Sequence, residues 1–185
     1  MIEFKKQVTE NRIVTTVAKW IADIIVVVFL AYFIVNYTCE RYSIVGHSME
    51  PNFENGDVVL VNKIEYHLSK PKRYDTVAIE AKEGSSVEYH IKRIVGLPGE
   101  TVQIKNSIIY INDQPLNDDV IDADIYNVGI ADNKIELGKD EYFVLGDNRN
   151  NSDDSRSQSF GNVKIDNIIG SVWFRVLPFE KFGKP

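Results

Sequence analysis

Three short stretches of this 185-residue chain concentrate side chains capable of nucleophilic or proton-transfer chemistry. In Tyr42-Ser-Ile-Val-Gly-His-Ser-Met-Glu-Pro-Asn-Phe53, Ser48 follows Gly46-His47 directly and precedes a proline-marked turn. In Tyr89-His-Ile-Lys-Arg-Ile-Val-Gly-Leu-Pro-Gly-Glu100, the pair Lys92-Arg93 interrupts an apolar strand. The third, Leu145-Gly-Asp-Asn-Arg-Asn-Asn-Ser-Asp-Asp-Ser-Arg156, is dense in hydrogen-bonding groups and borders another apolar strand. A serine hydroxyl can attack a carbonyl if a base stands beside it. Taken singly, each stretch also has an ordinary reading: a turn serine, an edge-strand lysine and a solvated loop.

Other chemistries find less support. His47 neighbours Ser48 in sequence, and adjacent side chains diverge rather than pair. His67 falls in a polar loop and His90 on a strand, at spacings that fit no metal-site pattern. Spacing does not exclude a Ser-His-Asp triad, but nothing announces one. No glycine-rich phosphate loop is present. The single cysteine, Cys39, excludes an internal disulfide, and it lacks the small residues that precede a lipoprotein cysteine. A net charge of −6 argues against binding to nucleic acid, which needs a basic face.

The elements that must position these side chains are short strands. Asp57–Asn62, Tyr74–Ile79, Val87–Val95, Thr101–Ile104, Ser107–Ile111, Tyr142–Leu145 and Ser171–Val176 are rich in β-branched residues. Turn residues such as Asn55-Gly56, Gly96–Gly99 and Asn112-Asp113 separate them. Along Val87–Val95 a period of two puts Ile91, Arg93 and Val95 on one face and His90, Lys92 and Ile94 on the other. One of the two cations must therefore share a side with Ile94, unless that face is wet. Residues 112–140 are more polar and irregular, which suggests an excursion between core strands.

A different element precedes the strands. Residues 20–37 are apolar apart from Asp23 and Asn36, and their 18 positions span about 27 Å as a helix, close to a hydrocarbon core. Trp20 and Tyr37 stand at its ends, where amphipathic rings prefer the headgroup region. Lys5, Lys6, Arg12 and Lys19 precede the run, so the positive-inside rule predicts a cytoplasmic N-terminus and an extracytoplasmic remainder. Set against Glu3, Glu10, Asp23 and Glu40, these four cations leave the whole net charge on residues 41–185. The expected organisation is a cytoplasmic N-terminus over 1–19, a transmembrane anchor over 20–38 and an extracytoplasmic β-rich domain over 39–185. Within that domain the core is expected at about 40–100 and 141–180, with an inserted irregular subdomain at about 101–140.

In combination, the three stretches and the anchor resemble the type I signal peptidases, membrane-bound proteases of the serine–lysine class. The boxes that carry the resemblance are Gly46-His-Ser-Met-Glu-Pro51, Gly56-Asp-Val-Val-Leu-Val-Asn-Lys63, Tyr89–Gly99 and Gly146-Asp-Asn-Arg-Asn-Asn-Ser-Asp-Asp-Ser-Arg156. They occur in family order between residue 17 and about residue 178, and the short single-anchor chain is similar to the Gram-positive branch. The resemblance implies a mostly β fold, signal-peptidase-like (LexA-like), of antiparallel sheets with one N-terminal transmembrane helix.

It also implies roles. Ser48 would be the nucleophile, Lys92 the general base and Ser152 the hydroxyl that orients the lysine amine. Asp147, Arg149, Asp154, Arg156 and Arg93 would scaffold them. A lysine at its reference pKa near 10.4 is protonated at neutral pH, but burial disfavours the ammonium and can lower that value by several units. Some members place a serine two residues before the nucleophile to help bind the oxyanion. Here that position is Gly46, so the hole would rest on the Ser48 N–H and a further amide.

The implied activity is removal of signal peptides from exported preproteins at small-x-small sites, through an acyl-enzyme on Ser48. No metal or other cofactor is implied. The implied partners are preproteins and the lipid bilayer, with no nucleic acid, and the chain is expected to be monomeric. Two other classes fit the sequence less well. Self-cleaving repressor-type proteases share a Ser-Lys pair but would need a DNA-binding module and no anchor. A non-enzymatic anchored β-domain would be marked by loss of Ser48 or Lys92, and both are present.

Overall fold

The computed structural model describes residues 2–83, 86–116, 121 and 124–184. The chain separates into two compact units, Met1–Thr38 and Cys39–Pro185. The first is one helix, α1 (Ile2–Thr38). Its stretch Arg12–Thr38 is 27 residues long and apolar enough to cross a membrane. At roughly 1.5 Å per residue this stretch measures about 40 Å, longer than a hydrocarbon core. The helix begins well before the apolar run, and its start was not announced in the sequence because the first turns are polar and carry no periodic apolar signal.

Among the described residues the second unit holds eleven strands in two antiparallel sheets. The larger sheet has the order β1 (Cys39–Ser43), β2 (Val58–Asn62), β11 (Ile168–Leu177), β3 (Thr76–Glu83), β4 (Ser86–Gly96), β9 (Glu141–Leu145) and β10 (Val163–Lys164). The smaller has the order β7 (Gln114–Pro115), β6 (Ile108–Ile111), β5 (Thr101–Lys105) and β8 (Ile135–Glu136). One short helix, α2 (Glu65–Leu68), lies between β2 and β3. All seven strands read from β-branched runs are present. The sequence did not announce β1, nor the two-residue strands β7, β8 and β10, whose pairing is decided by neighbours rather than by their own composition.

Alternation explains the layering. Val59 and Val61 of β2 are buried while Val58, Leu60 and Asn62 are half-buried. Ala78 of β3 joins a core with Ile44, Met49, Phe53, Val59, Val61, Ile91 and Val172. Its neighbours Val77 and Ile79 face the opposite core, with Ile94, Tyr142, Val144, Val163 and Ile168. The third core lies under the smaller sheet, where Val102, Ile104 and Ile109 meet Val95, Phe143 and Leu145. Two-residue turns close that sheet: Asn106 and Ser107 have φ of 50° and 63°, and Asn112 and Asp113 have φ of 49° and 65°. Asparagine and aspartate tolerate this left-handed region better than most residues.

Two pairings position the chemistry. β4 sits inside the larger sheet, with Lys92 opposite Val77 of β3. On its other edge Arg93 pairs with Leu145 of β9, so the loop that begins at Gly146 emerges beside Lys92. The sheet also demands one close approach at Gly170. A Cβ there would lie 2.1 Å from the Asn62 carbonyl oxygen across the β2–β11 pair. Gly170→Ala is therefore expected to destabilise the domain by about 1–3 kcal/mol, read as a lower melting temperature in detergent.

Candidate active site

The nucleophile candidate lies in a loop that its own backbone closes. Ile44 N–H donates to the Asp57 carbonyl at 2.8 Å, and Gly56 N–H returns to the Ile44 carbonyl at 2.8 Å. Between these ends Ile44, Met49 and Phe53 plug into the core, which fixes the turn carrying Ser48. Asp57 pairs with Arg175 of β11 at 3.3 Å, and that guanidinium lies 5.1 Å from the centre of the Phe53 ring. Gly46 adopts φ +88° and donates its N–H to Asn55 Oδ1 at 2.9 Å. Any L-residue at position 46 would be strained, so a serine hydroxyl cannot be supplied there without moving the backbone.

Lys92 is 3% exposed and shares its face of β4 with Ile94, as strand alternation required. Its amine donates to Ser152 Oγ at 3.1 Å. Burial lowers its pKa below the ordinary lysine value; Asp154 and Asp153 oppose the change, while Arg156 adds to it. Ser152 and Ser48 both line one cleft of about 550 Å³, together with Gly46, His47, Asn127, Asn151, Asp153 and Ser157. Among the described residues the Ser48 hydroxyl makes no hydrogen bond, and neither does its N–H.

Gly146 is the point where the two serines meet. A Cβ there would fall 2.2 Å from Ser152 Oγ and 2.5 Å from the Ser48 carbonyl oxygen. Two carboxylate–guanidinium pairs hold the loop on either side. Asp147, 1% exposed, accepts Arg93 Nε at 2.7 Å and Nη2 at 2.6 Å, and Asn52 Nδ2 at 2.9 Å. Asp154, also 1% exposed, accepts Arg156 Nε and Nη2 at 2.8 Å each and the Gly146 N–H at 3.0 Å. Arg93 further donates to the Tyr74 carbonyl at 2.9 Å, and Arg156 to that of Asn127 at 2.8 Å. Among the described residues no group of three His, Cys, Asp or Glu side chains could hold a metal ion. His47 pairs with Glu50 at 2.7 Å, and His90 stacks edgewise on Phe160 at 5.6 Å.

The family model described as signal peptidase, peptidase S26, matches residues 17–177. This chain belongs to the signal peptidase family. It is 34% identical over 177 residues to Signal peptidase I P of Bacillus subtilis subsp. natto, covering 92% of this chain and 94% of that protein. Signal peptidase I T of Bacillus subtilis strain 168 is 34% identical over 180 residues, covering 94% of this chain and 92% of that protein. Signal peptidase I of Leptolyngbya laminosa is 38% identical over 164 residues, covering 85% and 78% respectively. A crystal structure of a signal peptidase I from Enterococcus faecalis V583 aligns with a TM-score of 0.43 and 31% identity, covering 56% of this chain and 97% of that one.

For a signal peptidase, then, the sequence-derived candidates Ser48, Lys92, Ser152, Gly46, Asp147, Arg93, Asp154 and Arg156 form one contiguous group. Sequence reasoning passed over two members of the 145–156 loop that bear directly on Ser48. Gly146 leaves room for the two serines. Asn148 donates its backbone N–H to the Ser48 carbonyl and its Nδ2 to the His47 carbonyl, each at 3.0 Å. The only available signal was the density of polar groups in that loop. Gly146→Ala is expected to reduce cleavage by at least about a hundredfold, since an ångström-scale displacement of reacting groups costs that much. Steady-state kinetics beside a melting curve will separate this loss from unfolding.

Proposed function

We propose that Ser48 is the nucleophile and Lys92 the general base with which this signal peptidase removes signal peptides from preproteins. The observation that carries the reading is the buried Lys92 amine. It is held by Ser152 Oγ at 3.1 Å, and Ser152 shares both a cleft and a contact at Gly146 with Ser48. A lysine desolvated this way can be neutral when its hydroxyl partner needs a base.

In the proposed cycle, Ser48 Oγ attacks the carbonyl before the scissile bond, and its proton passes to Lys92. The tetrahedral oxyanion is met by the Ser48 N–H, which makes no other hydrogen bond among the described residues. Collapse breaks the C–N bond, and Lys92 returns the proton to the departing amine. Water, deprotonated by the same lysine, then hydrolyses the acyl-enzyme and frees Ser48. Among the described residues no hydrogen bond joins Ser48 to Lys92, and catalytic hydrogen bonds often tighten only around bound substrate. The Ser152 hydroxyl, which lines the cleft, holds the amine at 3.1 Å.

The preferred substrate is a preprotein whose signal peptide ends small-x-small. It is taken as an extended segment, with α1 as a single-pass anchor, its N-terminus cytoplasmic and residues 39–185 extracytoplasmic. The support for that orientation is the cluster of Lys5, Lys6, Arg12 and Lys19 before the apolar run. Tethering enzyme and substrate to one bilayer raises their effective concentration. The chain is proposed to act as a monomer on the bilayer, with its peptidase core at about 40–100 and 141–180 and an inserted subdomain at about 101–140.

Preprotein processing in detergent tests the assignment. Ser48→Ala and Lys92→Ala are each expected to abolish cleavage while leaving the melting curve in place, and retained activity in either would sink the mechanism. The rate should fall as pH drops and Lys92 takes up a proton, with a midpoint below the ordinary lysine range. Asp153 holds the Lys92 pKa up, so Asp153→Asn is expected to move this acid limb to lower pH. A limb that stays put or moves upward would exclude Lys92 as the titrating group.

A further inference from the structure

We propose that the Asn148 side chain aims the oxyanion-binding N–H of Ser48, which makes it a positioning residue for acyl transfer. The inference rests on Ser48 as the nucleophile. Two peptide planes meet at the Ser48 Cα. The first carries the His47 carbonyl and the Ser48 N–H, which point in opposite directions because the peptide is planar and trans. The second carries the Ser48 carbonyl.

Asn148 holds both planes. Its Nδ2 donates to the His47 carbonyl at 3.0 Å, and its backbone N–H donates to the Ser48 carbonyl at 3.0 Å. Fixing both planes fixes φ and ψ of Ser48, and with them the direction of its Cα–Cβ bond. The two contacts nevertheless do different work. The backbone contact survives any substitution and keeps the plane after Ser48. The side-chain contact is the shorter of two that hold the plane whose far side carries the Ser48 N–H. Glu50 N–H also reaches the His47 carbonyl, but at 3.4 Å, the long end for a hydrogen bond.

Two features raise the weight on this contact. Gly46 brings no hydroxyl to the hole, so the Ser48 N–H carries more of the developing charge. Asn148 itself is firmly held, since its neighbour Asp147 is chelated by Arg93 and the Gly146 N–H is bound to Asp154. A donor works in an oxyanion hole only if it is aimed before the charge develops, and deleting one outright costs about 10²–10³ in kcat. Releasing its plane should cost less, about tenfold to a hundredfold.

The test uses the full chain in detergent with a preprotein substrate, comparing wild type, Asn148→Ala and Asn148→Leu. The leucine keeps the approximate shape and removes the donor without adding charge, so it reports even if the alanine variant folds poorly. Two inhibitors supply a readout that a merely structural role would not move: a peptide aldehyde ending in Ala-x-Ala, and the alcohol made by reducing it. On the aldehyde, Ser48 Oγ bonds to the carbonyl carbon, the C=O π pair becomes an oxyanion and the hydroxyl proton moves to Lys92. The alcohol has no oxygen that can enter this state.

Both variants are expected to lose at least about tenfold in kcat with KM within about twofold of wild type. The aldehyde should weaken in parallel with kcat, the alcohol should bind unchanged, and the acid limb should stay in place, because the Lys92 contacts are untouched. Equal weakening of aldehyde and alcohol, a displaced acid limb, or a kcat within about twofold of wild type would overturn the inference. Ser48→Ala, run alongside, keeps two failures apart: if it still cleaves, the nucleophile assignment itself falls, and if it is dead, an unaffected Asn148 variant sinks only this proposal.

Discussion

An ammonium group removed from water loses hydration worth several kcal/mol, and the fold imposes that loss on Lys92 while offering one neutral partner, the Ser152 hydroxyl. Much of the domain can be understood as what this requires. A lysine on an edge strand would turn into solvent, so β4 lies inside the sheet with β3 on one side and β9 on the other. Asp154 is close enough to oppose the lowered pKa, yet its carboxylate is taken up by Arg156 and the Gly146 N–H. A direct salt bridge to Lys92 would stabilise the ammonium and remove the base. Pairing with the guanidinium keeps the carboxylate occupied.

The 146–156 loop converts this buried amine into a site. Its two carboxylate–guanidinium pairs are almost wholly out of water, and such pairs contribute little net stability because desolvation offsets their attraction. Their bidentate geometry instead restricts where the loop can lie. One pair ties Asp147 to β4 through Arg93, and the other folds Asp154 back onto Gly146. Held at both ends, the loop presents Ser152 to the lysine and Asn148 to the nucleophile turn. The absence of a side chain at Gly146 lets these two approaches coincide.

Parts of this arrangement were legible before any coordinates. The seven β-branched runs became strands, and alternation put Lys92 on the side of Ile94, while packing decided that this face is dry. The helix was legible only where it is apolar, because the residues before it carry no periodic stripe. Polar residues 112–140 hid β7 and β8, two-residue strands that exist because β5 and β6 offer them free edges. Residues 117–120 and 122–123 of that stretch lie outside the described residues. Asn148 was invisible as an individual, since a loop holding nine other polar or charged residues does not say which amide points where.

The sequence by itself determined the chemical inventory: an apolar helix, a β-rich domain, one serine in a turn, one lysine on an apolar strand and a loop of carboxylates, amides and guanidiniums. Residue type sets what a group can do, and a period of two sets which face of a strand it takes. Only the tertiary structure decided how far each group departs from its solution behaviour. Lys92 and Ser152 are 60 residues apart, and Asn148 and His47 are 101 apart. The dryness of the lysine and the aim of the serine both depend on those distant segments meeting. Desolvation and hydrogen-bond direction belong to the packed ensemble of neighbours, and no local run of residues contains them.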